Sequence, residues 1–302
     1  MPFTLSHAAA VLPGIRRDGT GRGPFLASAL VAGSFAPDLT YFAASVLPGG
    51  MSYGSFTHSP WGIVTADVVC AALLVLLWIR AREPVVALLP RRWQGRVHAF
   101  VRGTRWTSLT PSLAAKFVLS AVVGSLTHVG WDLFTHSGRL GTDLFPVLGR
   151  TVGGFPLYTY AQYGSSALAA LGLCWFLVTA LRRQQPSSLQ DVPLLDRRRR
   201  VVATTLLGGC AVLGAALRVL RWQAHQRMPL STFDYIPTLC FGAGAGLLVG
   251  LVLYVVLAGR WRAAAPGAAA ATDSGAAGAG AGRTAAAPAP DTAQARPRTR
   301  SH

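Results

Sequence analysis

Apolar stretches of bilayer-spanning length limit what this chain can become more than any local motif does. Five run almost free of charge: Trp61–Trp78, Ser112–Phe134, Gln162–Leu181, Val201–Leu220 and Tyr235–Leu257. A helix that crosses a bilayer needs about 20 such residues. A sixth stretch, Phe25–Leu47, is interrupted by Pro37-Asp38. Proline removes a backbone donor and clashes with the preceding turn, so a helix there ends or kinks. A shorter apolar piece, Leu5–Leu12, comes before it and cannot cross alone. Only 13% of the 302 residues are charged, against about 25% in an ordinary soluble domain. The expected fold is an all-α polytopic membrane bundle, with about six spans plus an N-terminal half-helix, over residues 1–259. Residues 260–302, including His302, read as a disordered Ala/Gly/Pro-rich tail.

The charges that exist are segregated. Arg16, Arg17 and Arg22 lie in one turn, and Arg80, Arg82, Arg91, Arg92, Arg96, Arg102 and Arg105 lie in the Arg80–Trp106 connection. Arg182, Arg183 and Arg197 to Arg200 form a third cluster. Leu47–Ser59 has none, and Ser137–Gln162 has only Arg139 and Arg150. Alternate loops are basic, which places the basic ones and the C-terminus in the cytoplasm. The net charge of +17 therefore meets anionic headgroups, and nucleic acid is not an expected partner. Pro37-Asp38 makes a poor cleavage site, which argues against a signal peptide. Cys70, Cys174, Cys210 and Cys240 lie inside apolar runs without C-x-x-C spacing and are expected to be buried free thiols.

Against this background the tetrapeptide Phe56-Thr57-His58-Ser59 stands out, because it recurs as Phe134-Thr135-His136-Ser137. The second copy extends to His128-x-x-x-Asp132-x-x-x-His136. Four-residue steps on a helix advance about 40° and about 6 Å, so these three side chains share a stripe. Two imidazoles and a carboxylate on one stripe can chelate a divalent cation. Ionisable residues inside a span are expensive and usually functional. If Leu5–Leu12 and Phe25–Ala36 form a hairpin around the arginine turn, His7 and Asp38 reach the level of His58, His128, Asp132 and His136, away from the basic loops.

Each motif also has a structural explanation. Ser59 and Pro60 suit an N-cap and first helical position, Asp38 can cap a turn, and Thr4 and Ser6 can cap the segment carrying His7. Gly138 is expected to end the helix after His136. Asp67, a lone carboxylate within Trp61–Trp78, is expected to be a catalytic base or to hold a ligand histidine in its tautomer. His98 and His225 are expected to be solvated. Gln162–Ser166 allow close helix packing or hydrogen bonds to the site, and the glycines of Ala243–Gly250 suit packing. Nucleotide-binding and serine-hydrolase fingerprints are absent from the sequence.

Met1-Pro2-Phe3-Thr4-Leu5-Ser6-His7, Gly33–Asp38, Thr57-His58-Ser59, Trp131–His136 and Gln162–Ser166 together resemble a bacterial multi-spanning family, domain-of-unknown-function family 4184, over Met1 to Gly259. That resemblance implies the bacterial cytoplasmic membrane. More distantly, the order His, Pro-Asp, Thr-His-Ser, His-x-x-x-Asp is similar to membrane-bound metal-dependent hydrolases, with Gly54-Ser55-Phe56 where that family carries His-Arg-Gly. The expectation is a divalent metal, zinc first with Mn or Fe as alternatives, held by Asp38, His58, His128, Asp132, His136 and His7. Six ligands exceed one tetrahedral zinc, so some support the others or two ions bind. Water activated there would cleave an ester or phosphoester on a lipid or lipid-linked substrate at the non-cytoplasmic face. The rival reading is non-enzymatic: a proton or ion path, or a cluster that braces helices.

Overall fold

In the computed structural model, which describes residues 3–47, 49–103, 110–225 and 232–263, nearly every element is helical. The chain opens with a 3-10 helix over Thr4–Gly14 and then α1 (Ala27–Phe35). One 3-10 turn, Ala36–Asp38, leads to α2 (Leu39–Ala43). Next come α3 (Gly54–Thr57), α4 (Pro60–Val64), α5 (Ala66–Leu88) and α6 (Arg91–Arg102). α7 (Pro111–Thr135) is followed by the short α8 (Leu140–Leu144) and a hairpin of β1 (Thr151–Val152) and β2 (Phe155–Pro156). The long helices α9 (Leu157–Arg183), α10 (Arg197–His225) and α11 (Thr232–Ala263) complete the order. Arg105, Trp106, the side chain of His225 and the expected tail beyond Ala263 lie outside the described residues.

Among the described residues, four helices are long and apolar enough to cross a membrane: Pro111–Thr135, Leu157–Arg183, Arg197–Ala224 and Tyr235–Ala263. They make this an integral membrane protein, with four such helices rather than the expected six. Both losses have a physical cause. Phe25–Leu47 is broken at Pro37 into α1, one turn and α2, and the nine residues of α1 reach only about 13 Å. Its apolarity serves protein packing, since Ala29, Leu30, Ala32, Gly33 and Ser34 are all buried. A helix apolar all round is either a membrane span or a core element, and hydropathy does not separate the two. The Trp61–Trp78 stretch breaks at Thr65, between α4 and α5, and α5 carries Asp67, Arg80, Arg82 and Glu83. Its uncharged portion, Val68–Ile79, has the length of a core helix.

α1 is the centre of the molecule, packed against α7, α5 and the N-terminal 3-10 helix. A Cβ at Gly33 would lie 2.2 Å from the Ala121 carbonyl oxygen, and one at Gly124 would lie 2.3 Å from that of Leu30. The two backbones touch, and only glycine permits it. One apolar cluster joins Val11, Ile15 and Leu30 to Phe176 and Ala180, and another joins Ala32 and Ala36 to Ala71, Val75 and Ala121. The unsatisfied N–H of Leu26 at the start of α1 donates to Ser120 Oγ on α7 at 2.9 Å. α10 and α11 also approach closely, with a Cβ at Gly246 falling 2.0 Å from the Cys210 carbonyl oxygen. The Ala243–Gly250 glycines therefore serve packing.

The arginine clusters collect at one end of the bundle. Arg17 stacks 5.0 Å over Trp175 and bonds Thr179 on α9, and Arg200 Nη2 donates to the Ala87 carbonyl. Ser187 N donates to the Gly95 carbonyl, and Val192 packs with Val86 and Ala87. His98 belongs to this end and is not solvated: it is 1% exposed, and its Nδ1 lies 2.9 Å from Ser187 Oγ. The packing of α6 against residues 184–196 withdraws it from water. All four cysteines are free, but none is fully buried: Cys70 and Cys210 are half-buried, and Cys174 and Cys240 are exposed.

Candidate metal centre

The opposite end of α7 carries the other polar cluster. Ser120, Ala121, Gly124, Ser125, His128, Asp132 and Thr135 form its buried stripe, the three- and four-residue spacing of one helical face. Facing it is the break in α1. Pro37 has no N–H with which to satisfy the Gly33 carbonyl in an α-helical pattern, and Ser125 Oγ donates to that carbonyl at 3.0 Å. The Ser34 carbonyl lies in the last turn of α1 and sits 2.7 Å from His128 Nδ1.

The two Thr-His-Ser copies share a position at a helix end but not a backbone conformation, since His58 has ψ 11° and His136 has ψ 143°. In each, a helix ends at the threonine and the histidine caps its C-terminus. His58 Nδ1 is 2.9 Å from the Gly54 carbonyl, and His136 Nδ1 is 3.2 Å from the Asp132 carbonyl. The following residues differ. Ser59 N-caps α4 by accepting from Gly62 N, with Pro60 in the first position, whereas Gly138 at φ 64° turns the chain after α7. Thr57 Oγ1 donates to the Pro37 carbonyl at 2.8 Å and thereby ties the first copy to the Pro-Asp turn.

These elements bring Asp38, His58, His128 and Asp132 together, with one ligand atom from each inside a mutual 4.8 Å. Four of the separations are 3.8 Å (His58 Nε2 to Asp38 Oδ1), 3.6 Å (His58 Nε2 to Asp132 Oδ2), 3.4 Å (His128 Nε2 to Asp38 Oδ1) and 3.6 Å (His128 Nε2 to Asp132 Oδ2). The four side chains are 0 to 7% exposed. A carbonyl oxygen only accepts, so Nδ1 of both His58 and His128 carries the proton. In the neutral ring Nε2 then offers a lone pair. Two lone pairs therefore face two carboxylate oxygens, and nothing inside the cluster donates. His128 Nε2 and Asp38 Oδ1 are buried without a hydrogen-bond partner among the described residues.

Asp38 stands at the N-cap position of α2, but its side chain makes no capping hydrogen bond. Its Oδ2 accepts from Thr4 Oγ1 at 2.5 Å, so the N-terminal segment closes over the carboxylate. His7 arrives with it. The imidazole of His7 stacks on His128 with centroids 3.6 Å apart, and its Nε2 lies 3.6 Å from Asp132 Oδ1. Both of those atoms lack a hydrogen-bond partner among the described residues. His7 also lines a 330 Å³ pocket with Ser6, Trp131 and Ser165. His136 sits at the rim, with Nδ1 3.7 Å from Asp132 Oδ1 and Nε2 3.4 Å from Gln162 Nε2. Burial pushes its imidazole below the usual histidine range, opposed by the Asp132 carboxylate. Gln162 thus touches the site, the second of the two roles expected for the Gln162–Ser166 segment.

Asp67 is fully buried, and neither oxygen has a hydrogen-bond partner among the described residues. It lies within electrostatic reach of His58 and His128. The tautomers of those two histidines are held by the backbone carbonyls of Gly54 and Ser34, so Asp67 does not have the orienting role expected of it. Sequence reasoning missed the Thr4–Asp38 bond, since Thr4 reads there only as a cap. It also missed Arg218, whose Nη1 donates to the Tyr41 carbonyl and Ser45 Oγ, each at 2.6 Å.

Residues 1–256 match the family model described as Domain of unknown function (DUF4184), and the chain belongs to that family. No curated protein and no solved structure matches the chain.

Proposed function

We propose that this member of the family binds a divalent cation between Asp38, His58, His128 and Asp132 and uses it to hydrolyse an ester or phosphoester of a membrane lipid. The observation that carries the reading is the spacing of an acceptor-only cluster. A tetrahedral ion with ligands at about 2.0–2.2 Å holds them roughly 3.3–3.6 Å apart, and the four carboxylate–imidazole separations run from 3.4 to 3.8 Å. Doubly protonated histidines would also balance the two carboxylates. They would draw in, however, to the about 2.7–2.9 Å of charge-assisted hydrogen bonds, and the closest contact is 3.4 Å. Two carboxylates, two neutral imidazoles and one divalent ion make a neutral set, which a buried site requires. Zinc suits this donor set, and Mn or Fe would accept it.

The bound ion would lower the pKa of water and polarise the substrate oxygen. Hydrolysis joins the water oxygen to phosphorus or the acyl carbon and breaks the bond to the leaving oxygen. Asp67 is assigned as the base that takes the water proton and returns one to the leaving oxygen. His7 positions Asp132 from the pocket side, and Thr4 does the same for Asp38. With the arginine-rich end in the cytoplasm, the site faces the other side of the bacterial cytoplasmic membrane at headgroup depth.

Elemental analysis of detergent-purified protein tests the cation. Wild type should carry about one equivalent, and His128→Ala and Asp132→Ala should lose it while still inserting. Wild type that stays metal-free after supply of zinc or manganese would overturn the reading and leave the cluster as a helix brace or proton path.

A further inference from the structure

A cavity of 760 Å³ lies beside the metal centre, walled by Phe35, Leu39, Phe42, Phe241, Leu247 and Leu251 among others. This volume is within the range of small-molecule sites, and the wall is almost entirely apolar. Three observations connect it to the centre. Thr4 lines the cavity and donates to Asp38, Leu39 follows Asp38 in sequence, and Gln162 lines the cavity and meets His136. The apolar space therefore ends where the polar ligands begin, as an amphiphile requires.

A cation stands at the same end. Arg218 on α10 lies 5.3 Å over the ring of Phe241, a wall residue. Its partners are the Tyr41 carbonyl, Ser45 Oγ and Met51 Sδ, all neutral. Among the described residues no carboxylate balances its charge. Tyr41 joins it to the centre, because the tyrosine ring packs 5.7 Å from the His58 ring and 5.6 Å from that of Phe241. A half-buried guanidinium with no counter-charge among the described residues, beside an apolar cavity, is complementary to an anionic head on a hydrocarbon chain.

We infer that this cavity holds an acyl chain of an anionic phospholipid whose phosphate lies between Arg218 and the Asp38–His58–His128–Asp132 centre. The inference rests on the proposed hydrolase reading for what happens to that lipid, but not for its binding. Cys240 and Leu247 are wall residues that are also exposed on the outward face of α11. A chain can therefore enter sideways from the bilayer, which is itself a solvent of acyl chains.

Native mass spectrometry of the full-length protein in detergent tests this, with phosphatidylglycerol and phosphatidylcholine of identical chains as probes. Wild type should retain phosphatidylglycerol about tenfold better. Arg218→Gln should erase that preference, and Arg218→Lys should restore most of it. Ala243→Trp, which fills the cavity from α11, should weaken both lipids about tenfold with metal content unchanged. Equal retention of the two lipids by wild type, or undiminished binding in Ala243→Trp, would overturn the inference. So would displacement of phosphatidylglycerol by an equimolar polyprenyl phosphate. A metal-free wild type that keeps its lipid preference would sink the hydrolase reading alone.

Discussion

Replacing Thr4 by valine removes one hydroxyl and little else, and it separates a metal centre from a helix brace. Thr4 Oγ1 donates to Asp38 Oδ2 at 2.5 Å, and the carboxylate is completely buried. Valine has the same shape, so it leaves the acceptor in place, anionic and dry. A hydrogen bond to a charged group contributes about 1.5–3 kcal/mol, and losing the outer partner of a metal ligand costs about 10–100-fold in affinity. The two figures agree, since every 1.4 kcal/mol is about tenfold. Competition with a chelating indicator should show zinc binding weakened by about 10–100-fold in Thr4→Val and near the wild-type value in Thr4→Ser. A brace without an ion would lose thermal stability in Thr4→Val and show no metal to weaken. Zinc affinity within threefold of wild type in Thr4→Val would refute the link between Asp38 and the ion, as would equal losses in the serine variant.

Two further substitutions probe the support and the chemistry. Gly124→Ala should lower the melting temperature and the metal affinity together. Its Cβ would stand 2.3 Å from the Leu30 carbonyl oxygen and 2.7 Å from Ser34 N, and such overpacking costs about 1–3 kcal/mol; a thermal melt matching wild type would show that α1 yields freely. Asp67→Asn should keep fold and metal content while lowering turnover of the cleaved lipid by about 100-fold or more, the size of a general-base contribution. Unchanged turnover would remove Asp67 from the reaction.

Much of the cluster was legible because its members are titratable residues at the ends of apolar runs, where such residues are costly. The alternation of arginine-rich loops put them at one level. What remained illegible depended on neighbours far away in sequence. The two Thr-His-Ser copies both end a helix, yet their histidine backbones differ, and only His58 turns Nε2 onto Asp38 and Asp132, while His136 meets Gln162. His98 looked solvated because arginines surround it in sequence, but residues 184–196 fold over it. Phe25–Leu47 looked like a span because composition reports how apolar a segment is, whereas α5, α7 and the N-terminal helix decide what covers it.

The broken helix and the ligand stripe are then parts of one arrangement. A continuous helix through Pro37 would have spent the Gly33 and Ser34 carbonyls on intrahelical bonds. Pro37 cannot serve Gly33, whose carbonyl keeps a tighter bond from the Ala36 N–H, and a buried carbonyl has room for a further donor. α7 supplies two from one face, Ser125 Oγ to Gly33 and His128 Nδ1 to Ser34, on backbones that touch through Gly33 and Gly124. Fixing Nδ1 in this way leaves Nε2 as a lone pair aimed at Asp38, which the same break has placed opposite. The orientation of His128 thus follows from a helix that cannot continue, and the lone pair and carboxylate which that break brings face to face are what the proposed cation would close.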